Sequence, residues 1–199
     1  MVRTVKEIMR DSTVLNSDGV HVGGSDRESN HRYGDAYEEI LSVNYSLKTY
    51  REPDKNQHRT EVKLMMEIGV ADGSSLIAWR EIFPNALCVG MDIHHSDKAH
   101  GDRIEFRFGD QRVKRDCEEA AAGRLFDVIV EDATHQIENT LLTLYWMWPF
   151  VKPGGIYVVE EWDGVDRNRI LGLWPNAEIV DTQGPFGGVE SLVVFRKPL

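Results

Sequence analysis

The stretch KLMMEIGVADGSSLIAWREIF, residues 63–83, holds the pattern that decides the fold. It begins with the short apolar run 63–70, passes through a turn with Gly69 and Gly73, and continues as a helical segment over 74–83. A strand-length apolar run followed by a helical pattern is typical of a βα unit. The stretch therefore predicts one strand, one glycine-containing turn and one helix.

The same alternation continues along the chain. Further strand candidates lie at 87–93, 104–108, 126–130 and 156–159. Helical segments are expected at 112–122 and 136–150. Strands that alternate with helices predict a parallel sheet that is buried on both faces. The last two candidates, 178–181 and 191–196, are joined by a connection too short for a crossover helix, so we expect them to be antiparallel.

These patterns predict a single α/β domain over residues 1–199. Its Rossmann-like sheet would have seven strands, mostly parallel, with an antiparallel C-terminal strand. A chain of 199 residues has room for one such domain. The first 36 residues differ, because 16–34 is rich in Gly, Ser, Asp, Asn and His and has little periodicity. We predict that residues 1–36 form a loop or lid segment.

The composition argues against several classes of protein. The chain has 33 acidic and 23 basic side chains and a formal net charge of −10, whereas a protein held by phosphate contacts needs a basic face. Its longest nearly apolar stretch, 141–151, is about 11 residues, and a membrane span needs about 20. The N-terminus lacks a signal-peptide pattern, and two cysteines cannot form a disulfide framework. We therefore expect a cytoplasmic protein that binds neither nucleic acid nor membranes.

Acidic residues stand at the end of every predicted parallel strand. They are Glu67, Asp92, Asp110, Glu131 with Asp132, and Glu160 with Glu161. Ligands of open α/β sheets bind beyond the carboxyl ends of the strands, so these side chains predict one shared site. Asp and Gly are also common in turns, so a single position carries little weight and the interpretation depends on the whole set.

The first turn favours one class of cofactor. A dinucleotide site usually has the pattern G-x-G-x-x-G, which receives a pyrophosphate, but this turn offers only Gly69 and Gly73 after the acidic Glu67. A carboxylate repels a pyrophosphate and suits S-adenosylmethionine, which carries a sulfonium and an ammonium group. Asp92, after the next strand, is placed to accept hydrogen bonds from ribose hydroxyls. The turn and Asp92 together favour S-adenosylmethionine over NAD.

A second group of acids predicts a metal site. Asp132 ends the fourth parallel strand, and Glu160 and Glu161 end the fifth. Strands joined through one helix usually pair, at about 4.8 Å, so these carboxylates could reach one ion. A set of oxygen ligands without cysteine favours Mg²⁺ over Zn²⁺. Two alternatives stay open: Glu161 could point to solvent, and Asp163 could complete the site.

A histidine follows this predicted metal site. His135 lies three residues after Asp132, and imidazole is the side chain best suited to remove a hydroxyl proton near neutral pH. We therefore predict that His135 is a general base. His94 and His95 directly follow Asp92 and are interpreted as loop residues near the adenosine pocket.

Four motifs occur in the order EIGV at 67–70, GDQ at 109–111, FDVIVEDATH at 126–135 and KPGGIYVVEE at 152–161. Together they resemble class I methyltransferases of the macrocin and mycinamicin sugar O-methyltransferase type, relatives of the cephalosporin hydroxylase group. The upstream residues SD at 25–26, HRY at 31–33 and Tyr37 resemble that family's segment that folds over the cofactor.

This resemblance implies an enzyme with the class I methyltransferase fold. It would use S-adenosylmethionine and Mg²⁺ to methylate a hydroxyl, most simply on a sugar of a secondary metabolite in antibiotic biosynthesis. The implied metal ligands are Asp132, Glu160 and Glu161, and the implied base is His135. The predicted cofactor-binding residues are His31, Tyr33, Glu67, Gly69, Gly73, Ser74, Asp92, Asp110, Gln111 and Asp132.

The chain departs from the family pattern in two places. The family usually has Asp-Asp-Gly-Ser-His where this chain has EDATH at 131–135, and Glu-Asp where this chain has Glu160-Glu161. Three other functions stay open: a nicotinamide oxidoreductase, a metal-dependent hydroxylase and a non-catalytic S-adenosylmethionine-binding subunit. The sequence identifies neither the acceptor nor the oligomeric state, and a homo-oligomer is left open.

Overall fold

The computed structural model describes residues 3–15, 21–24, 27, 31–42, 55–162, 167–183 and 189–199. Its helices are α1 (Val5–Asp11), α2 (Tyr33–Ser42), α3 (Lys55–Glu61), α4 (Ser74–Ile82), α5 (Lys114–Ala121), α6 (Ile137–Met147) and α7 (Arg167–Leu173). Its strands are β1 (Thr13–Leu15), β2 (His21–Gly24), β3 (Leu64–Ile68), β4 (Leu87–Asp92), β5 (Ile104–Phe108), β6 (Phe126–Glu131), β7 (Val151–Trp162), β8 (Glu178–Gln183) and β9 (Val189–Arg196).

Seven strands form one mixed sheet in the order β5-β4-β3-β6-β7-β9-β8. The strands from β5 to β7 are parallel, and β9 runs antiparallel to both of its neighbours, β7 and β8. The prediction of a mostly parallel seven-stranded sheet with an antiparallel C-terminal strand is confirmed. The strand order reverses between β3 and β6, which places a crevice at their carboxyl ends.

The sheet separates two apolar layers. Along β3, Met65 belongs to the layer that contains α1, α2 and α4, whereas Met66 belongs to the layer of α5 and α6. Neighbouring side chains of a strand point to opposite faces, so a strand that is covered on both sides must be apolar throughout. This requirement explains why the parallel strands were recognisable as apolar runs. None of the described helices has the length and the apolar content that a membrane crossing needs.

The first 36 residues contain more regular structure than a loop. Helix α1 begins after Thr4, whose side chain accepts a hydrogen bond from the Glu7 N–H while the Glu7 carboxylate accepts one from the Thr4 N–H. Strands β1 and β2 pair as an antiparallel hairpin, and α2 begins at Tyr33. The expectation of a loop over 1–36, and over 16–34 within it, is therefore wrong for these elements, whereas a lid over the cofactor stays a prediction. Helix α1 and strands β1 and β2 have only seven, three and four residues, too few for periodicity to reveal them.

Candidate active site

A cavity of about 460 Å³ opens at the carboxyl end of the parallel strands, beside the reversal of strand order. Its wall comes from the turns and segments that follow β3, β4, β5 and β6. The predicted site residues in this wall are Gly69, Asp92, Asp110, Gln111, Asp132 and His135. Its volume lies in the range of small-molecule sites. The structure therefore brings six predicted residues to one space.

Other predicted residues lie outside the cavity wall. Tyr33 is fully buried, and its N–H donates to the Arg27 carbonyl oxygen at 2.8 Å. The His31 ring stacks on Tyr33 with 5.1 Å between centroids, and its Nδ1 contacts the Glu190 carboxylate. Gly73 adopts a positive φ of 86° immediately before α4. Closure of the cofactor pocket by His31 and Tyr33, and cofactor contacts from Gly73 and Ser74, stay predictions.

The turn after β3 depends on Gly69. This residue has a φ of 87°, and a Cβ atom there would lie 2.1 Å from the Asp132 carbonyl oxygen. The Gly69 N–H donates to the Met91 carbonyl oxygen at 2.8 Å, and the Asp132 N–H donates to the Ile68 carbonyl oxygen at 2.8 Å. A glycine therefore lets the ends of three strands approach closely around the cavity.

The Asp92 carboxylate organises the same turn. Its Oδ2 accepts hydrogen bonds from the Val70 and Ala71 N–H groups at 2.9 and 3.0 Å, and its Oδ1 accepts one from the His94 N–H at 2.8 Å. These bonds connect the turn after β3 to the end of β4. Asp92 and His94 both lie in the cavity wall, so the predicted contact of Asp92 with a ribose stays a prediction that the geometry permits.

An arginine outside the predicted site lies at the centre of the acidic residues. The Arg27 Nη2 donates to Glu67 Oε1 at 2.6 Å and to Asp132 Oδ2 at 2.9 Å, and its Nε donates to Glu160 Oε1 at 2.8 Å. We refer to Glu67, Asp132 and Glu160 as the acidic cluster. The Arg27 side chain is only 4% exposed and lies over the Trp79 ring, 5.4 Å from its centroid.

The acidic cluster has three carboxyl groups, and Arg27 places one positive charge among them. Burial raises the pKa of Glu67, and this rise is opposed by Arg27 and by hydrogen bonds from Ser75 Oγ and Trp79 Nε1. Burial also lowers the pKa of Arg27, but attraction to the three carboxylates outweighs it and raises that pKa well above its ordinary value. One guanidinium among three ionised carboxylates leaves a charge of −2, which favours a cationic ligand.

A signal for Arg27 was present in the sequence. Three carboxylates that converge without a counter-charge would repel one another, so the predicted site required a nearby cation. Arg27 lies between the residues SD at 25–26 and HRY at 31–33, which belong to the segment expected over the cofactor. Tyr37 of α2 reaches the same place, because its hydroxyl donates to Glu160 Oε1.

The structure brings together only part of the predicted metal site. Asp132 and Glu160 lie within hydrogen-bonding distance of the same guanidinium, and their oxygen atoms have the chemistry that Mg²⁺ prefers. The side chain of Glu161 and residue Asp163 lie outside the described part of the chain. Among the residues that the structure describes, no group of three His, Cys, Asp or Glu side chains has the arrangement of a metal site.

A second buried carboxylate positions the segment after β6. Gln111 Nε2 donates to Glu131 Oε1 at 2.7 Å, and Gln111 Oε1 accepts a hydrogen bond from the Thr134 N–H at 2.9 Å. Burial raises the pKa of Glu131, although the hydrogen bond from Gln111 opposes the rise. Gln111 therefore holds the segment 132–135 against the sheet while one side of it remains in the cavity wall.

His135 lies at the accessible side of the cavity. Its side chain is 37% exposed, and its Nε2 is 3.9 Å from Asp132 Oδ1. Its backbone has a φ of 52°, a conformation that is uncommon for residues other than glycine and often occurs at functional sites. The imidazole therefore lies next to an acidic-cluster residue, and His135 forms part of the cavity wall.

The chain is similar in sequence to antibiotic-modifying enzymes, although no family model matches it. It is 32% identical over 113 residues to the demethylmacrocin O-methyltransferase of Streptomyces fradiae, a match that covers 53% of this chain and 29% of that protein. It is 32% identical over 114 residues to the mycinamicin VI 2''-O-methyltransferase of Micromonospora griseorubida, covering 52% and 28%. The matches therefore span less than a third of each relative's own length.

Solved structures with the same fold include methyltransferases. The chain superposes on the MycE methyltransferase of the mycinamycin biosynthetic pathway, a complex with Mg and SAH, with a TM-score of 0.63, 20% identity, and coverage of 87% of this chain and 39% of that one. An O-methyltransferase from Bacillus cereus in complex with SAH gives a TM-score of 0.56 at 18% identity, covering 82% and 91%. The chain is thus similar in sequence to the macrocin and mycinamicin O-methyltransferases over about half of its length, and it has the Rossmann-like fold of class I methyltransferases.

Proposed function

We propose that this protein is an O-methyltransferase that transfers a methyl group from S-adenosylmethionine to a hydroxyl of a glycosylated secondary metabolite in antibiotic biosynthesis. The observation that carries the proposal is one cavity in which Asp92, Asp132 and His135 line the same space, next to the acidic cluster with its three carboxyl groups around one guanidinium. The names of relatives support the acceptor class, because one acts on a rhamnosyl tetracenomycin and another on olivosyl-oleandolide.

The charge of the site explains why it would accept this cofactor. S-adenosylmethionine brings a sulfonium and an ammonium group, and the acidic cluster lies immediately behind the cavity wall at Asp132. Asp92 lies at the end of β4, where a ribose would be held, and Gly69 lets the end of β3 approach the Asp132 backbone in the cavity wall. Two methyltransferase structures with the same fold are complexes with SAH, which supports this class of cofactor.

A divalent cation fits the chemistry of the donors, and we propose Mg²⁺. Asp132 and Glu160, with Glu161, would hold it, and a related methyltransferase structure contains Mg. When bound, such an ion supplies Lewis acidity that lowers the pKa of an acceptor hydroxyl. His135 would accept the hydroxyl proton at its imidazole. The parts of the cavity wall formed by Gly69 and Gln111 would hold the cofactor and the acceptor in a fixed relative position.

The variant His135→Ala tests this proposal, with His100→Ala as its matched control, because His100 is exposed and lies outside the cavity wall. We expect His135→Ala to bind S-adenosylhomocysteine like the wild type in calorimetry. Its turnover with demethylmacrocin or a rhamnosylated polyketide should fall about 10²–10⁴-fold, the usual contribution of a general base. Near wild-type turnover under conditions where chemistry limits the rate would contradict the assignment of the base.

The relatives named above are O-methyltransferases, and none of their names denotes a hydroxylase or a nicotinamide oxidoreductase. We therefore propose a single function. A cytoplasmic location and a homo-oligomeric assembly stay predictions. The proposed partner is a small sugar-bearing molecule, in agreement with a related structure in complex with mycinamycin VI.

A further inference from the structure

The Arg27 guanidinium takes up the same carboxylates that would hold a divalent cation. It donates to Asp132 Oδ2 at 2.9 Å and to Glu160 Oε1 at 2.8 Å, from two different nitrogen atoms. These two acids were predicted to share one ion, and in the structure they share one guanidinium. Arg27 and a metal ion therefore require some of the same oxygen atoms.

The surroundings of Arg27 make it a resident group of the cluster. Its side chain is buried and packs on the Trp79 ring, and its carbonyl oxygen accepts a hydrogen bond from the N–H of Tyr33 at the start of α2. It also donates to Glu67 at 2.6 Å, on the side of the cluster that adjoins Trp79 and Ser75. The guanidinium thus has an anchoring contact that does not involve Asp132 or Glu160.

The charge of the acidic cluster predicts how loss of Arg27 would change the affinity for a divalent ion. With Arg27 present, the ionised cluster has a charge of −2, and without it the charge is −3. A divalent ion would therefore be attracted more strongly to the cluster that lacks the guanidinium, and it would no longer compete with the hydrogen bonds that Arg27 donates to Asp132 Oδ2 and Glu160 Oε1. A residue that served only to orient the acids for the metal would have the opposite effect, because its removal would weaken metal binding.

We propose that Arg27 competes with a divalent cation for Asp132 and Glu160, so that it offsets part of the negative charge of the acidic cluster when no metal is bound and lowers the affinity of the site for metal. The inference rests on the proposed function in one respect, the location of the metal at these carboxylates. It makes Arg27 a residue that tunes the metal requirement of this chain.

The test is calorimetric titration of Mn²⁺ into the full chain and its variants, without S-adenosylmethionine or acceptor. Arg27→Met should bind Mn²⁺ at least tenfold more tightly than the wild type, because one positive charge next to two of the ligands is lost. Arg124→Met is the matched control. Arg124 also pairs with a carboxylate and lies 5.8 Å from an aromatic centroid, that of Phe126, but it lies outside the cavity wall. Its removal should leave Mn²⁺ affinity within twofold of the wild type.

Thermal unfolding with and without Mn²⁺ gives a second measurement. Mn²⁺ should raise the melting temperature of Arg27→Met more than that of the wild type, because the ion replaces a missing cation in the folded protein. If Arg27→Met does not fold, the Arg27→Lys variant tests the inference. An ammonium group cannot make the same three contacts as the guanidinium, so this variant should bind Mn²⁺ more tightly than the wild type does.

Equal or weaker Mn²⁺ binding by the folded Arg27 variant overturns the inference. This result is distinct from failure of the proposed function, because the titration needs no methyl transfer. If the protein methylates its acceptor but loss of Arg27 brings no gain in Mn²⁺ affinity, the proposed function stands and the proposed competition between Arg27 and the metal is wrong.

Discussion

The acidic side chains at the two ends of the parallel sheet differ in how they are paired with positive charges. At the amino end, Asp127 accepts hydrogen bonds from two backbone N–H groups and from Lys152 Nζ at 2.7 Å. Glu105 accepts hydrogen bonds from Arg124 on both oxygens, at 3.1 and 2.9 Å, and lies close to a second arginine. At the carboxyl end, the buried Glu67 and Glu160 and the partly exposed Asp132 share the guanidinium of Arg27.

This difference separates a stabilising end from a functional one. Balanced and solvated ion pairs cost little and contribute little, so they are compatible with any function. A buried cluster with surplus charge costs stability unless its partners are well placed, and such violations are expected where a ligand supplies the missing charge. The carboxyl groups in excess of the single guanidinium lie beside the cavity, at the end of the sheet where ligands of this fold class bind.

The largest effect is expected when each arginine is replaced by methionine. Arg27→Met leaves two buried carboxylates and the partly exposed Asp132 without their cation and should lower the free energy of unfolding by about 3–5 kcal/mol. Arg124→Met leaves Glu105 partly solvated and near a second arginine, so the loss should be below about 1 kcal/mol. Urea unfolding at pH 7 in the absence of divalent ions measures both. Similar losses for the two variants would remove the contrast between the ends.

Two glycines with positive φ provide the next comparison. Gly69→Ala, at the carboxyl end, adds left-handed strain and a clash with the Asp132 carbonyl oxygen, so we expect a loss of about 2–4 kcal/mol. Gly123→Ala, at the amino end, has a φ of 69° and no atom within 4 Å of the new Cβ, so only the strain of about 1–2 kcal/mol remains.

The same two variants differ in ligand binding. Gly69→Ala displaces the segment at Asp132 that forms the cavity wall, so its affinity for S-adenosylhomocysteine should fall at least tenfold in calorimetry. Gly123→Ala should bind as the wild type does. If Gly69→Ala bound normally, close approach of the β3 and β6 ends would not be needed for the site.

The carboxyl end could be predicted in outline because its signals are local. Buried parallel strands must be apolar on both faces, so β3, β4 and β6 were visible as apolar runs that end in Gly or acidic residues. The pairing of β6 with β7, which brings Asp132 near Glu160, followed from their connection through one helix.

The central cation could not be located in the same way. Arg27 lies 40 residues from Glu67 and 133 from Glu160, in a stretch without periodicity, so only a charge requirement pointed to it. The role of Gln111 was also hidden, because its hydrogen bonds to Glu131 and Thr134 depend on how three segments pack. Long-range contacts of single polar side chains leave no repeating pattern in a sequence.

The pH dependence of stability distinguishes the two ends further. Burial raises the pKa of Glu131, at the carboxyl end, so the native protein keeps this proton at pH values where the unfolded chain has released it. Stability therefore decreases as the pH rises from about 4 toward the native pKa, by about 1.4 kcal/mol for each unit by which the two pKa values differ. Glu131→Gln has no proton to lose, so its stability relative to the wild type should improve across this window in urea unfolding between pH 4 and 8.

The smallest effect is expected at Glu105, whose contribution to stability should change with pH in the direction opposite to that of Glu131. Hydrogen bonds from Arg124 lower the pKa of Glu105, so the unfolded chain binds this proton at a higher pH than the native protein does. The stabilisation is complete above the unfolded pKa, about 4.3, and is lost as the pH falls through the native value. Glu105→Gln should therefore cost about 0.2–1 kcal/mol at pH 7 and nothing in strong acid. If its difference from the wild type grew as the pH fell, the pairing at the amino end would not be the stabilising one, and the contrast in charge between the two ends would rest on the acidic cluster alone.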